Sequence, residues 1–215
     1  MIAAFFDMDK TLLHVNSGRE WVTYLRGRGE ISRRATLRAL GWLAQYKLSI
    51  LDMDTVGKLV VGEMAGQSEA ELREKSRQFY IERVRSHIAD QGRRAIERHR
   101  RLGHVVVLLT SSTPYVADPL AADLGIEHVL CTRFGVKDGR FDGTIIEPAC
   151  YGVGKVVLAE RFCAAHDLDL EGSYFYTDSY SDLPMLERVG GARVVNPDAR
   201  LRMFARKVGW ETMTW

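Results

Sequence analysis

The stretch Ile2-Ala3-Ala4-Phe5-Phe6-Asp7-Met8-Asp9-Lys10-Thr11-Leu12-Leu13 decides how this chain is read. Its five apolar residues, rich in aromatics and closed by a charge, predict a short buried strand. Asp7 and Asp9 follow at once. Two carboxylates two residues apart at the end of a buried strand are costly unless something offsets their charge. A divalent cation does this, and oxygen ligands suit magnesium. Taken alone, the pair is better read as a solvated strand–loop junction, because such pairs are common by chance.

Working outward, similar apolar runs recur at 105–109, 129–131, 174–176 and 192–195. Helical patterns at 115–124, 153–166, 183–189 and 199–208 lie between and after them. Strands alternating with amphipathic helices predict an α/β fold with a parallel sheet covered on both faces. The segment 17–101 differs. Apolar residues recur at three and four spacings over 21–25, 37–48, 56–64 and 72–84, with no convincing strand. Gly27, Gly29 and Gly66 punctuate these helices, and Ser68 with Glu71 forms a capping-box pattern. The expectation is a core of residues 1–14 and 102–215 with an all-helical cap of residues 15–101 inserted over the sheet edge. Asp138-Gly139, between apolar runs in 133–146, predicts a β-hairpin.

The 215 residues fit one core plus a modest insertion. A formal net charge of +2 is too small to point to nucleic acid. Three cysteines without C-x-x-C spacing argue against a disulfide framework or a zinc site, and for a reducing compartment. The opening apolar run is too short for a signal peptide, and no later run reaches membrane-spanning length, so the cytoplasm is expected.

Three further signals join the first motif. Thr110-Ser111-Ser112 closes the second strand, where hydroxyls and amides form a natural phosphate cradle. Lys155 lies just inside the helix after Gly152-Val153-Gly154. Thr177-Asp178-Ser179-Tyr180-Ser181-Asp182 adds a second acidic pair at the same sheet edge. Polar groups at the carboxyl ends of parallel strands mark the ligand site of open α/β sheets.

In this order the four motifs resemble those of the haloacid dehalogenase superfamily, and their spacing resembles its phosphoserine-phosphatase-like branch, in which a helical cap follows the first motif. The stretches 136–143 and 148–152 and the tail Val195-Asn196-Pro197-Asp198 are similar to that branch as well. The resemblance implies a Rossmann-like core and magnesium-dependent hydrolysis of a small phosphate ester through an aspartyl phosphate. It implies Asp7 as nucleophile and Asp9 as general acid and base. Magnesium would be held by Asp7, the main-chain carbonyl of Asp9 and Asp178, with Asp182 behind them. Thr110, or Ser111 if the register slips by one, would hold phosphate oxygens together with Lys155. The expected partner is the substrate alone, with no nucleic acid and no stable membrane association, on a monomer or homodimer.

The chain departs from the branch where a glutamate reads the substrate amine. That position is Asn16, which cannot pair with an ammonium group as a carboxylate does. A small phosphorylated metabolite other than phosphoserine is therefore expected, with phosphoserine itself, or transfer to an alcohol acceptor, as alternatives. Asn16 and Arg19 are candidate substrate contacts. A non-catalytic binding protein on the same core is the reading from another class, and the intact set Asp7, Asp9, Lys155 and Asp178 speaks against it. The arginines between 93 and 101 read as a solvated helix face, since Asp90 and Glu97 interleave. Cys150 reads as a buried thiol, and Trp210 and Trp215 as core packing.

Overall fold

The computed structural model describes residues 1–47 and 61–215. The periodic stretch 56–64 falls mostly outside the described residues. Strand β1 is Ile2–Phe6, followed by a kinked turn over Met8–Leu12. Helices α1 (Ser17–Gly27), α2 (Arg33–Lys47) and α3 (Glu69–Phe79) come next, and then α4 (Asp90–Arg101). The remainder alternates: β2 (Val105–Thr110), α5 (Pro114–Leu124), β3 (His128–Cys131), β4 (Arg133–Lys137), β5 (Arg140–Ile146), α6 (Val153–Ala165), β6 (Asp169–Thr177), α7 (Leu183–Arg188), β7 (Gly191–Val195), α8 (Ala199–Val208) and β8 (Thr212–Met213).

Six strands form one parallel sheet in the order β3-β2-β1-β6-β7-β8. Strand β1 is central, with Phe6 opposite Leu108 of β2 and Tyr176 of β6. The chain winds one way from β1 through β2 to β3, then resumes on the other side at β6. The switch point lies between β1 and β6, where the first and last acidic motifs end.

Both faces of β1 are buried, which is why its sequence is apolar throughout rather than alternating. Ala4 and Phe6 pack with Val106, Leu108, Ile96 and Leu120 on one side. Ala3 and Phe5 pack with Val107, Leu109, Ala159, Met185 and Leu201 on the other. Trp215 and Trp210 lie half-buried against these two clusters respectively.

Ser68 caps α3 by accepting the Glu71 N–H at 3.3 Å. Strands β4 and β5 form the expected hairpin, with positive φ at Asp138 and Gly139, and it docks on the start of α3. Gly66 N–H donates to the Phe141 carbonyl and Phe141 N–H to that of Gln67. The sequence groups α4 with the cap. Its Ala95–Ile96–His99 stripe instead packs on the sheet, with His99 edge-on to Phe6 and 2% exposed. Local periodicity shows that a helix has an apolar side but not what covers it.

Candidate active site

The carboxyl end of β1 sets the site. Asp7 N–H donates to the Tyr176 carbonyl at 2.9 Å, extending the pairing with β6 one residue past the strand. This fixes the backbone from which the Asp7 side chain leaves. Asp7 Oδ1 lies 2.8 Å from Lys155 Nζ, and Asp182 Oδ2 lies 2.8 Å from the same nitrogen. Thr177 Oγ1 donates to Asp182 at 2.6 Å. Lys155 and Asp182 are each 2% exposed. One ammonium therefore joins β1, α6 and the turn after β6 in a dry cluster.

Lys155 reaches that point because α6 approaches the 148–152 loop closely. A Cβ on Gly154 would collide with the main-chain carbonyl of Ala149, so glycine is required there. The turn carrying Asp178 is held from behind. Asp198 N–H donates to the Asp178 carbonyl at 2.8 Å, and Asp198 Oδ2 accepts the Tyr180 N–H at 2.8 Å. The other Asp198 oxygen caps α8 through the Leu201 N–H.

Asp9 sits in a different environment. Its two oxygens accept the Ser17 N–H at 2.9 Å and Asn16 Nδ2 at 3.0 Å. The carboxylate thus rests against the N-terminus of α1, where backbone N–H groups favour negative charge. Burial nevertheless pushes its pKa up to about 6. Asp7 rises to about 7, driven by burial and opposed by Lys155, with Asp182 adding to the rise. Asp182 and Asp7 in turn hold Lys155 protonated against its own burial.

A cavity of about 850 Å³ opens onto these groups. Asp7, Asp9, Thr110, Ser111, Lys155, Asp178 and Asp182 line it from the sheet side. Asn16 and Arg19 face it from the start of α1, as do Glu20 and Thr23, which the sequence pattern does not single out. Thr110 is buried, and its Oγ1 accepts the Ser112 N–H at 3.1 Å; Ser111 is half-buried on the same wall. Both hydroxyl candidates therefore remain at the site.

Two quoted residues, Thr177 and Asp198, have supporting roles that the motifs alone do not reveal. Thr177 lies within the last motif but belongs to a strand pattern. Asp198 carried a helix-start signal, an Asp before an amphipathic run.

The donors fit a magnesium ion. Asp7, Asp178 and the carbonyl of Asp9 offer oxygen alone, the ligand type that hard cations take. Among the described residues, no three acidic, His or Cys side chains converge as a metal cage. Two carboxylates and a carbonyl suit magnesium, which keeps several waters and shares itself with substrate phosphate. Cys131, Cys150 and Cys163 are all buried free thiols, away from any such role.

Comparison with known proteins agrees with this geometry. Residues 4–187 match the haloacid dehalogenase-like hydrolase family. A phosphoserine phosphatase of Mycobacterium tuberculosis (strain ATCC 25618 / H37Rv) is 36% identical over 219 residues, spanning 97% of this chain and 69% of that protein. A histidinol-phosphatase of Neisseria meningitidis serogroup C is 29% identical over 217 residues, spanning 99% and 98%. Among solved structures, a Bordetella pertussis Tohama I protein of unknown function superposes with a TM-score of 0.88 at 29% identity, over 98% of this chain and 97% of that one. With four motifs gathered at one sheet edge, the chain belongs to the haloacid dehalogenase-like hydrolases and is a phosphatase among them.

Proposed function

We propose that this chain is a magnesium-dependent phosphomonoesterase that acts on a small phosphorylated metabolite through an aspartyl-phosphate intermediate. The observation that carries the reading is the division of labour between Asp7 and Asp9. Asp7 is ion-paired to a buried lysine at the switch point, whereas Asp9 is held by neutral amide donors. Burial leaves Asp7 the higher of the two, at about 7 against about 6; a cation held by Asp7 would lower it and so separate a nucleophile from a proton carrier.

In the proposed reaction, an Asp7 carboxylate oxygen bonds to phosphorus as the bond to the leaving oxygen breaks. Asp9 gives its proton to that oxygen. It then takes one from the water that attacks phosphorus and frees Asp7. A pKa near 6 suits both halves of this task at neutral pH. Lys155 and Thr110 or Ser111 hold the non-bridging oxygens as charge shifts onto them. Asp182 and Thr177 keep Lys155 aimed. Magnesium, held by Asp7, Asp178 and the Asp9 carbonyl, would supply neutralising charge for phosphate.

We read the cap as residues 15 to about 88, with α4 part of the core. Arg19 on the cavity wall contacts the leaving group. Neutral Asn16 argues against phosphoserine as the preferred substrate, and the differing substrates in the relatives' names leave that choice to this chain's own residues. No helix among the described residues is long and apolar enough to cross a membrane, and buried free thiols fit a cytoplasmic setting.

Asp7→Asn should abolish magnesium-dependent hydrolysis of p-nitrophenyl phosphate, and retained turnover would remove the nucleophile assignment. Magnesium with beryllofluoride should raise the thermal midpoint of the wild type but not of that variant. A kcat/KM comparison on phosphoserine and a panel of small phosphomonoesters tests the substrate reading, which a clear preference for phosphoserine would overturn.

A further inference from the structure

Asn16 makes two bonds with one amide group. Its Oδ1 accepts the Arg19 N–H at 2.9 Å and so caps α1. Its Nδ2 donates to Asp9 Oδ2 at 3.0 Å. The orientation of the amide is forced, because the Arg19 backbone N–H is a donor and must meet the oxygen. Only the nitrogen is then left to face Asp9. Ser17 also grips Asp9, through its N–H on the other oxygen and through its hydroxyl. Lys10 N–H donates to the Val15 carbonyl at 3.1 Å, closing the loop between the two ends.

We propose that Asn16 is a positioning residue for the proton-carrying carboxylate. It ties the Asp9 side chain to the first turn of the cap, so that docking of the cap helix and aiming of Asp9 are one event. The proposal rests on Asp9 being the general acid. Serine and aspartate both cap helices about as well as asparagine. An aspartate that caps α1 has no proton left to donate, and the single serine oxygen, one bond nearer the backbone, cannot occupy the positions of both Oδ1 and Nδ2.

The test compares leaving groups of nearly equal shape. Phenyl phosphate needs its leaving oxygen protonated, whereas p-nitrophenyl phosphate has an activated leaving group that needs little help. A hydrogen bond to a charged group corresponds to a factor of about ten or more. In Asn16→Ser and Asn16→Asp, kcat/KM on phenyl phosphate should fall about tenfold or more, and on p-nitrophenyl phosphate less than about threefold. The thermal midpoint of Asn16→Ser should stay within about 2 °C of wild type. Asp9→Asn, run alongside, should show the same selectivity in larger measure. If Asp9→Asn is selective and both Asn16 variants lose the two activities equally, or lose neither, Asn16 is a helix cap alone and the proposal is overturned. If Asp9→Asn shows no selectivity, the acid assignment itself falls, and the proposal with it.

Discussion

Replacing Lys155 by methionine keeps an unbranched stem of similar length and removes the ammonium. In the native site Nζ lies 2.8 Å from both Asp7 and Asp182 and is 2% exposed. With an effective dielectric constant of about 20, each contact at that distance is worth roughly 6 kcal/mol of attraction. Desolvation of three charges cancels most of this. The variant retains two buried carboxylates without a cation, a change that costs about 3–5 kcal/mol. In a chain of this length each kcal/mol moves the thermal midpoint by about 2–4 °C, so a fall of roughly 6–20 °C is expected.

The loss should depend on pH. Burial already raises the pKa of Asp7 to about 7 while Lys155 pulls it down, so removing the lysine raises it further. A carboxyl with a raised folded pKa leaves stability intact below its unfolded value, here 3.8, and stability is lost as pH rises through the folded one. Circular-dichroism melts of both proteins at pH 5 and pH 8 should therefore show the larger deficit at pH 8. An equal shift at both pH values, or one below about 2 °C at pH 8, would refute the buried-charge account.

His99 gives a second pH test. Burial, then His104, Arg98 and Arg193, lowers its pKa from 6.5 to about 4, so its stabilising contribution is present above pH 6.5 and lost as pH falls toward 4. Urea unfolding should show about 2 kcal/mol more loss between pH 7.5 and pH 4.5 in wild type than in His99→Phe, after allowance for solvent screening; parallel curves would count against it. Gly154→Ala must push α6 away from the Ala149 carbonyl, so it should lose more than about 2 kcal/mol of stability together with phosphatase activity, as read by melts and steady-state rates. Ellman's reagent should find no fast-reacting thiol in the native protein and all three in denaturant, since burial pushes Cys131 up to about 11 and raises Cys150 and Cys163 as well.

The central strands were legible because they are buried on both faces and so read as apolar runs; Ile2–Phe6 appears with the bounds the pattern gives, as does the helix Ala199–Val208, whereas the two-residue edge strand β8 left no such run. The convergence of Asp7, Lys155, Asp178 and Asp182 on one cavity was legible through motif order and strand ends. The partners of those residues were not. Nothing in the composition of β6 marks Thr177 as the donor that holds Asp182. The place of α4 on the sheet was hidden by its arginines, which dominate the segment while Ala95, Ile96 and His99 make the contact. Arg93 and Arg100 in that helix also donate to main-chain carbonyls of α5 and the residues just after it, a use that charge pattern alone does not reveal.

The central position of β1 has a consequence for biosynthesis. Its two neighbours pair through Val105 and beyond on one side and through Asp169 and beyond on the other. A ribosome that has reached Arg101 has therefore delivered Asp7 and helices α1 to α4, but no strand beside which β1 can lie. Such non-local pairing slows folding and leaves apolar segments open in the meantime. A nascent chain cannot hydrolyse phosphate esters before β6 emerges, and Ile2–Phe6 is a segment that a holdase chaperone would find exposed until then.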